Sequence, residues 1–248
     1  MLFFLLSIVF ILPIVVVGIL LSKLFKLASL NALFLTSWSH LMCLISGITI
    51  HVHGRIEKAP VFIVANHVSW LDIPIIHSLA LAGFVAKSEI RRWPLLGWLS
   101  LAGDTLFLQR GSHHSRNSVI DTIKKRLLSG RSVAVFPEGT VTDGSHLRHF
   151  HRQLLVAAIE TQTPIQPVAI KFIRNDGTRN QDMAFINNEG FVRHVWRILT
   201  LPSSTVEVYC GEPITDFESG ARAVTQSSRD YIEKELKNNG YLQTAHQT

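Results

Sequence analysis

Two cysteines in 248 residues, Cys43 and Cys210, are too few for a disulfide framework or a zinc knuckle, and a reduced compartment is their simplest setting. Charge is also scarce: Asp, Glu, Lys and Arg make up 17% of the chain, against about 25% in ordinary soluble domains. With 47% hydrophobic residues and so little charge, intrinsic disorder and collagen-like structure are excluded. No glycine-rich phosphate cradle is present, which leaves nucleotide hydrolysis without support. The charge that exists is unbalanced, 24 Lys and Arg against 18 Asp and Glu. Anionic partners are therefore favoured, although net charge alone does not separate nucleic acid, lipid headgroups and an acidic carrier protein.

The distribution of apolar residues separates them. From Met1 to Ser22 there is no ionisable side chain. As a helix this stretch would extend about 33 Å, enough to cross a hydrocarbon core of about 30 Å, and membrane helices tolerate a proline such as Pro13. No basic residue precedes the run and no good small-x-small site follows it, which disfavours a cleaved signal peptide. A second apolar stretch, Leu27 to Ile50, is interrupted by Asn31, Thr36, Ser37, Ser39 and His40. Two spans would leave Lys23 and Lys26 outside, against the positive-inside bias. A retained span followed by a helix lying in the membrane surface is expected, with a hairpin in one leaflet as the alternative. The chain thus divides into a membrane anchor over 1–50 and a second domain over 51–248, expected at the cytoplasmic face of the cell membrane. Its expected partners are the bilayer and lipid, with no nucleic acid.

Beyond His51, short β-branched or aromatic runs bounded by turn residues alternate with helical ones. Strands are expected at Thr49–Val52, Val61–Ala65, Gly83–Lys87, Thr105–Gln109, Ser132–Phe136, Ile165–Phe172 and Thr205–Tyr209. Helices are expected around Ile73–Ala82, Ser115–Ser129, Arg148–Thr161, Phe191–Leu199 and Phe217–Lys237. The alternation predicts an α/β fold with a mixed, largely parallel sheet flanked by helices.

Two segments carry chemistry. In Val61-Phe-Ile-Val-Ala-Asn-His-Val-Ser-Trp-Leu-Asp72 an apolar strand runs into a turn, the position where α/β proteins place reactive groups. His67 and Asp72 are close enough for the carboxylate to hold one ring nitrogen while the other serves as a general base. With 12 histidines in the chain, about 0.4 such spacings arise by accident, so the spacing alone is weak. The second segment, Val133-Ala-Val-Phe-Pro-Glu-Gly-Thr140, runs from a strand into a tight turn with an acceptor, Glu138, and a hydroxyl, Thr140.

Together and in this order, Asn66-His67-x4-Asp72 and Phe136-Pro-Glu-Gly-Thr140 resemble the glycerophospholipid acyltransferases, specifically the lysophosphatidic acid acyltransferases. Lys87-Ser-Glu-Ile with Trp93-Pro-Leu-Leu-Gly97, Asp104-Thr-Leu-Phe-Leu-Gln-Arg110 and Thr163-Pro-Ile-Gln-Pro-Val-Ala-Ile170 are similar to further family segments, so the resemblance covers residues 48–213. It implies acyl transfer from acyl-CoA or acyl-carrier protein to the sn-2 hydroxyl of 1-acyl-glycerol 3-phosphate. His67 and Asp72 would be catalytic, Asn66, Lys87, Arg110, Glu138, Gly139 and Thr140 would bind substrate, and no cofactor or metal is implied. Arg110 is associated through the family with the substrate phosphate, and Lys87 would add a point charge. Glu138 is expected to bond a hydroxyl or orient Arg110.

The resemblance has departures. Val141 stands where the family often has arginine, Asp104 where it commonly has glycine, and Gln153 where glycine is common. Another lysolipid acceptor, such as a lyso-ornithine lipid, stays open, as does an idle membrane adaptor with the same fold. Bland readings of other residues are also available. Arg110 can be a solvated strand-end residue, Lys87 a partner of Glu89, and Lys124-Lys125-Arg126 a solvated helix face or a patch for anionic lipid or carrier protein. His51, His53, His146, His149 and His151 lack the further ligands a metal needs.

Overall fold

The computed structural model describes residues 12–25, 27–92, 100, 105–108, 113–186, 189–238 and 241. Among the described residues there are seven strands: β1 (Ile48–His53), β2 (Phe62–Ala65), β3 (Ala82–Lys87), β4 (Leu106–Leu108), β5 (Ser132–Val135), β6 (Ile165–Ile173) and β7 (Ser204–Cys210). They form one sheet in the order β1-β7-β6-β2-β5-β3-β4. All seven expected strands are there, with ends shifted by at most one residue. The short runs of β2 and β5 are buried on both faces, which is why they are continuous rather than alternating in apolar character. β2 pairs in parallel with β5, Phe62 opposite Val133, and with β6, Phe62 opposite Ile165. β7 runs antiparallel to β6, Ile170 opposite Val208, and makes the sheet mixed.

Alternate residues of β2 feed two cores, as the period of 2 requires. Ile63 and Ala65 pack on one side with Leu71, Ile75 and Ile76 at and within α3 (Asp72–Leu79). Phe62 and Val64 pack on the other with α4 (His113–Leu128), α5 (Leu155–Glu160) and α7 (Gly220–Lys237), through Ile123, Leu155 and Ile232. The helix expected over Arg148–Thr161 starts later. The N–H groups of Arg148 and His151 bond Glu138 and the Pro137 carbonyl, both at 2.9 Å, so the chain is tied to that turn before it can wind. A 3-10 turn, Arg152–Leu154, then leads into α5. The basic run on α4 is not a uniformly solvated face. Arg126 is buried and donates from Nε to the Ser132 carbonyl at 2.9 Å, while Lys124 pairs with Glu160.

Among the described residues two helices precede the sheet, α1 (Leu12–Leu24) and α2 (Ala28–Ile45), and they pack on each other. Gly18 permits the contact, since a β-carbon there would lie 2.6 Å from the Phe34 ring. The described part of α1, 13 residues, is about 20 Å long. Among the described residues no helix is long and apolar enough to cross a membrane, and residues 1–11 of the expected span lie outside the described residues. α2 also packs on α3, and β1 begins at Ile48, so the sheet starts inside the segment assigned to the anchor. α6 (Phe191–Thr200) joins the helical pair through Val195, which clusters with Val15, Ile19, Leu35, Trp38 and Met42.

Burial lowers the pKa of His77 to about 4, and its Nε2 faces the Ala82 carbonyl at 2.8 Å, so the ring is neutral and donates there. A histidine whose folded pKa lies below its unfolded value contributes stability that is present above about pH 6.5 and is lost as pH falls toward 4. The loss is on the order of 3 kcal/mol. His77→Gln, which keeps a donor but cannot titrate, is expected to flatten that part of the stability profile, measurable by denaturant titration between about pH 7 and pH 5.

Candidate active site

β2 ends where its backbone leaves the sheet, and Asn66 takes over the ladder. Its side-chain amide donates to the Ile170 carbonyl at 3.0 Å and its carbonyl accepts from the Ile170 N–H at 2.8 Å. Both polar ends of this buried residue are thus engaged by β6. In the loop that follows, His67, Val68 and Ser69 have both backbone groups paired, as a buried segment requires. The His67 N–H bonds Glu138 at 2.9 Å and its carbonyl accepts from Thr142 N–H at 2.9 Å. Val68 and Ser69 donate to Asp72 Oδ2 at 2.8 and 2.9 Å. Their carbonyls accept from Phe185 at 3.0 Å and from Asp72 N–H at 3.1 Å.

Asp72 therefore does two jobs with one oxygen. Fully buried in the first turn of α3, its Oδ2 gathers two backbone amides and also lies 2.8 Å from His67 Nδ1. A carboxylate acceptor fixes Nδ1 as the protonated nitrogen, which leaves the lone pair of the neutral ring on Nε2. Among the described residues Nε2 has no hydrogen-bond partner, and the His67 side chain is 18% exposed. The opposite constraint on the ring comes from Phe136, stacked at a centroid distance of 3.9 Å and 6° from parallel. Orientation, tautomer and access are those that a general base requires.

The second loop arrives beside the first because β2 and β5 are neighbours and parallel, so both chains emerge at the same end of the sheet. Glu138 ties them together. It is 4% exposed and accepts from His67 N–H with Oε1 and from Arg148 N–H with Oε2, each at 2.9 Å. Burial raises its pKa, while the two backbone bonds pull the other way. Gly139 closes the turn with its N–H on the Phe136 carbonyl at 3.1 Å, and its φ of +69° is the left-handed conformation that glycine adopts without strain. Thr140 follows, half-buried.

The structure thus brings His67, Asp72, Glu138, Gly139 and Thr140 to one end of the sheet, with Asn66 behind them. Lys87 ends β3, paired through its backbone with Leu108; its side chain and all of Arg110 lie outside the described residues. Three contributors escaped sequence reasoning. Phe136 stacks on the His67 ring, Thr142 holds the His67 carbonyl, and Trp70 donates from Nε1 to His194 Nδ1 at 3.0 Å. Phe136 opens the second motif but had no role there, Thr142 and Trp70 sit at no diagnostic spacing, and His194 is 124 positions from Trp70. Elsewhere, His51 and His53 both meet Glu207 across β1 and β7. No group of three His, Cys, Asp or Glu among the described residues could hold a metal ion.

A sequence profile described as Acyltransferase matches residues 47–171. The lyso-ornithine lipid O-acyltransferase of Pseudomonas aeruginosa is 39% identical over 177 residues, covering 71% of this chain and 68% of that protein. The 1-acyl-sn-glycerol-3-phosphate acyltransferase of Neisseria gonorrhoeae is 29% identical over 181 residues, with coverage of 71% and 68%. The crystal structure of the 1-acyl-sn-glycerophosphate acyltransferase from Thermotoga maritima is similar with a TM-score of 0.68, over 94% of this chain and 91% of that one, at 22% identity, which shows a common fold. The chain therefore belongs to the acyltransferase family, with the glycerophospholipid acyltransferases that its two motifs resemble.

Proposed function

We propose that this protein transfers a fatty acyl chain from acyl-CoA or acyl-carrier protein to the free hydroxyl of a lysolipid held at the cytoplasmic face of a membrane. The observation that carries the reading is the His67–Asp72 pair, 2.8 Å apart, with Nε2 turned away from Asp72 and open. In the first step Nε2 takes the proton of the acceptor hydroxyl as its oxygen bonds to the thioester carbonyl carbon. The tetrahedral oxyanion then collapses, the carbon–sulfur bond breaks, and the thiolate recovers the proton from the imidazolium. A positioned base of this kind contributes about 10²–10⁴-fold. The Gly139-Thr140 turn is anchored through Glu138 to the His67 backbone, and its amides and hydroxyl are the candidate donors to the oxyanion. Asn66 and Glu138 act in this reading as struts of the two loops rather than as substrate ligands, since their polar atoms are engaged by backbone.

The motifs point to lysophosphatidic acid as acceptor. We favour a lyso-ornithine lipid, because the relative of that name is 39% identical against 29% for the lysophosphatidic acid enzyme, and Val141 departs from the latter pattern. Purified protein offered lysophosphatidic acid, lysophosphatidylcholine and lyso-ornithine lipid with each acyl donor decides the matter by product mass. Diacylated ornithine lipid formed in preference supports the favoured acceptor, and phosphatidic acid alone supports the second. Free fatty acid without a diacylated product indicates a hydrolase, and no turnover an idle adaptor. Arg110→Ala is expected to raise KM for the acceptor about tenfold or more, as loss of a charged contact to the ornithine carboxylate, or to the phosphate of lysophosphatidic acid, would, with KM for the donor unchanged. Unchanged acceptor kinetics would remove Arg110 from the site.

A further inference from the structure

Exposed apolar side chains are concentrated in one part of this molecule. Of 13 exposed large hydrophobic residues among those described, nine lie on α1, α2 and their connection, and two on α6; only Val52 and Leu128 are elsewhere. The pair on α6 is unexpected. Its inward face, with His194, Val195 and Ile198 buried, already satisfies the need of an amphipathic helix for one apolar side. Its outward face should be polar, yet Val192 is 79% exposed and Trp196 53% exposed, one turn apart, with Arg193 exposed beside them.

We infer that α6 is a bilayer-contacting helix, with Val192 and Trp196 seated at the headgroup boundary and Arg193 on lipid phosphate. The inference rests on the membrane-facing reading proposed above. Tryptophan and arginine flanking an apolar patch is the composition of an element lying in the membrane interface. α6 also continues the helical layer of α1 and α2 through Val195, so its outward residues adjoin the segment that carries most of the exposed apolar surface. Its inner face is bonded to the catalytic loop. The fully buried His194 accepts from Trp70 Nε1–H at Nδ1 and donates from Nε2 to the Ala184 carbonyl, each at 3.0 Å, and the next residue, Phe185, donates to the Val68 carbonyl. A helix so connected holds His67 at a set depth relative to the headgroups, where a lysolipid presents its hydroxyl.

Flotation of the full chain with vesicles of phosphatidylcholine, alone or with phosphatidylglycerol, tests this. A variant carrying Val192→Glu and Trp196→Glu is expected to partition about tenfold less than the unmutated protein, and Leu128→Glu, on α4, to partition normally. Turnover of a water-soluble short-chain lysolipid should be unchanged in both, which also reports that the site is intact. Independently, Trp196→Phe should remove part of the quenching of tryptophan emission by brominated lipid chains, a readout that needs no destabilising change. If the unmutated protein floats and the double variant floats equally, α6 does not touch the bilayer. If the unmutated protein does not float at all, the membrane reading itself fails. Loss of a dimer by light scattering in the double variant, without loss of flotation, would assign the face to a second copy and overturn the inference.

Discussion

His67→Ala is expected to lower kcat by about 10²–10⁴-fold while leaving the fold and vesicle association intact. The separation of the two effects follows from how the loop is held. Neither backbone group of His67 depends on its ring: the N–H is held by Glu138 and the carbonyl by Thr142. Removing the ring costs the stack on Phe136 and one bond to Asp72, both at a half-buried position, and leaves six backbone hydrogen bonds of residues 67–69 in place. Product mass against time, with thermal unfolding of the same samples, checks both halves. Turnover within threefold of the unmutated protein would refute the base assignment.

Asp72→Ala should differ by losing stability as well as turnover. Its carboxylate is the acceptor for the amides of Val68 and Ser69 in a fully buried setting. Each amide left without a partner costs about 1–3 kcal/mol. Asp72→Asn separates this structural part from the chemical one. An amide oxygen at the Oδ2 position still accepts from the same donors, so most of the stability should return. The negative charge that stabilises an imidazolium does not return, and kcat should stay about 10²–10⁴-fold down. Unfolding midpoints and single-turnover rates of the three proteins make the comparison. Recovery of turnover together with stability in Asp72→Asn would show that charge at this position is not needed for the reaction.

The importance of backbone bonds here explains what was legible in the sequence. Strands are short apolar runs bounded by turns, and that local pattern marked all seven, including the doubly buried β2 and β5. The His67–Asp72 contact was legible for a similar reason, since five residues of a strand-to-helix turn suffice to bring the pair to 2.8 Å. The apolar character of the first fifty residues was visible in composition, but the packing of α1 on α2 depends on contacts such as Gly18 meeting Phe34.

What only the tertiary structure decided are the roles that depend on which strands become neighbours. Glu138 and Asn66 look like ligands in a linear motif because motif residues carry side chains suited to substrate. β5 beside β2 puts the Glu138 carboxylate against the His67 amide, and β6 beside β2 puts Ile170 against Asn66, so a buried backbone takes those polar atoms first. The late start of α5 has the same origin, because Arg148 serves Glu138 instead of a helix. The two faces of α6 become distinguishable once α1, α2 and the Trp70 loop cover one of them. Local pattern by itself determined the strands and the His67–Asp72 contact; sheet order, a balance of contacts far apart in the chain, decided which polar groups are taken up by backbone and hold the loops in place.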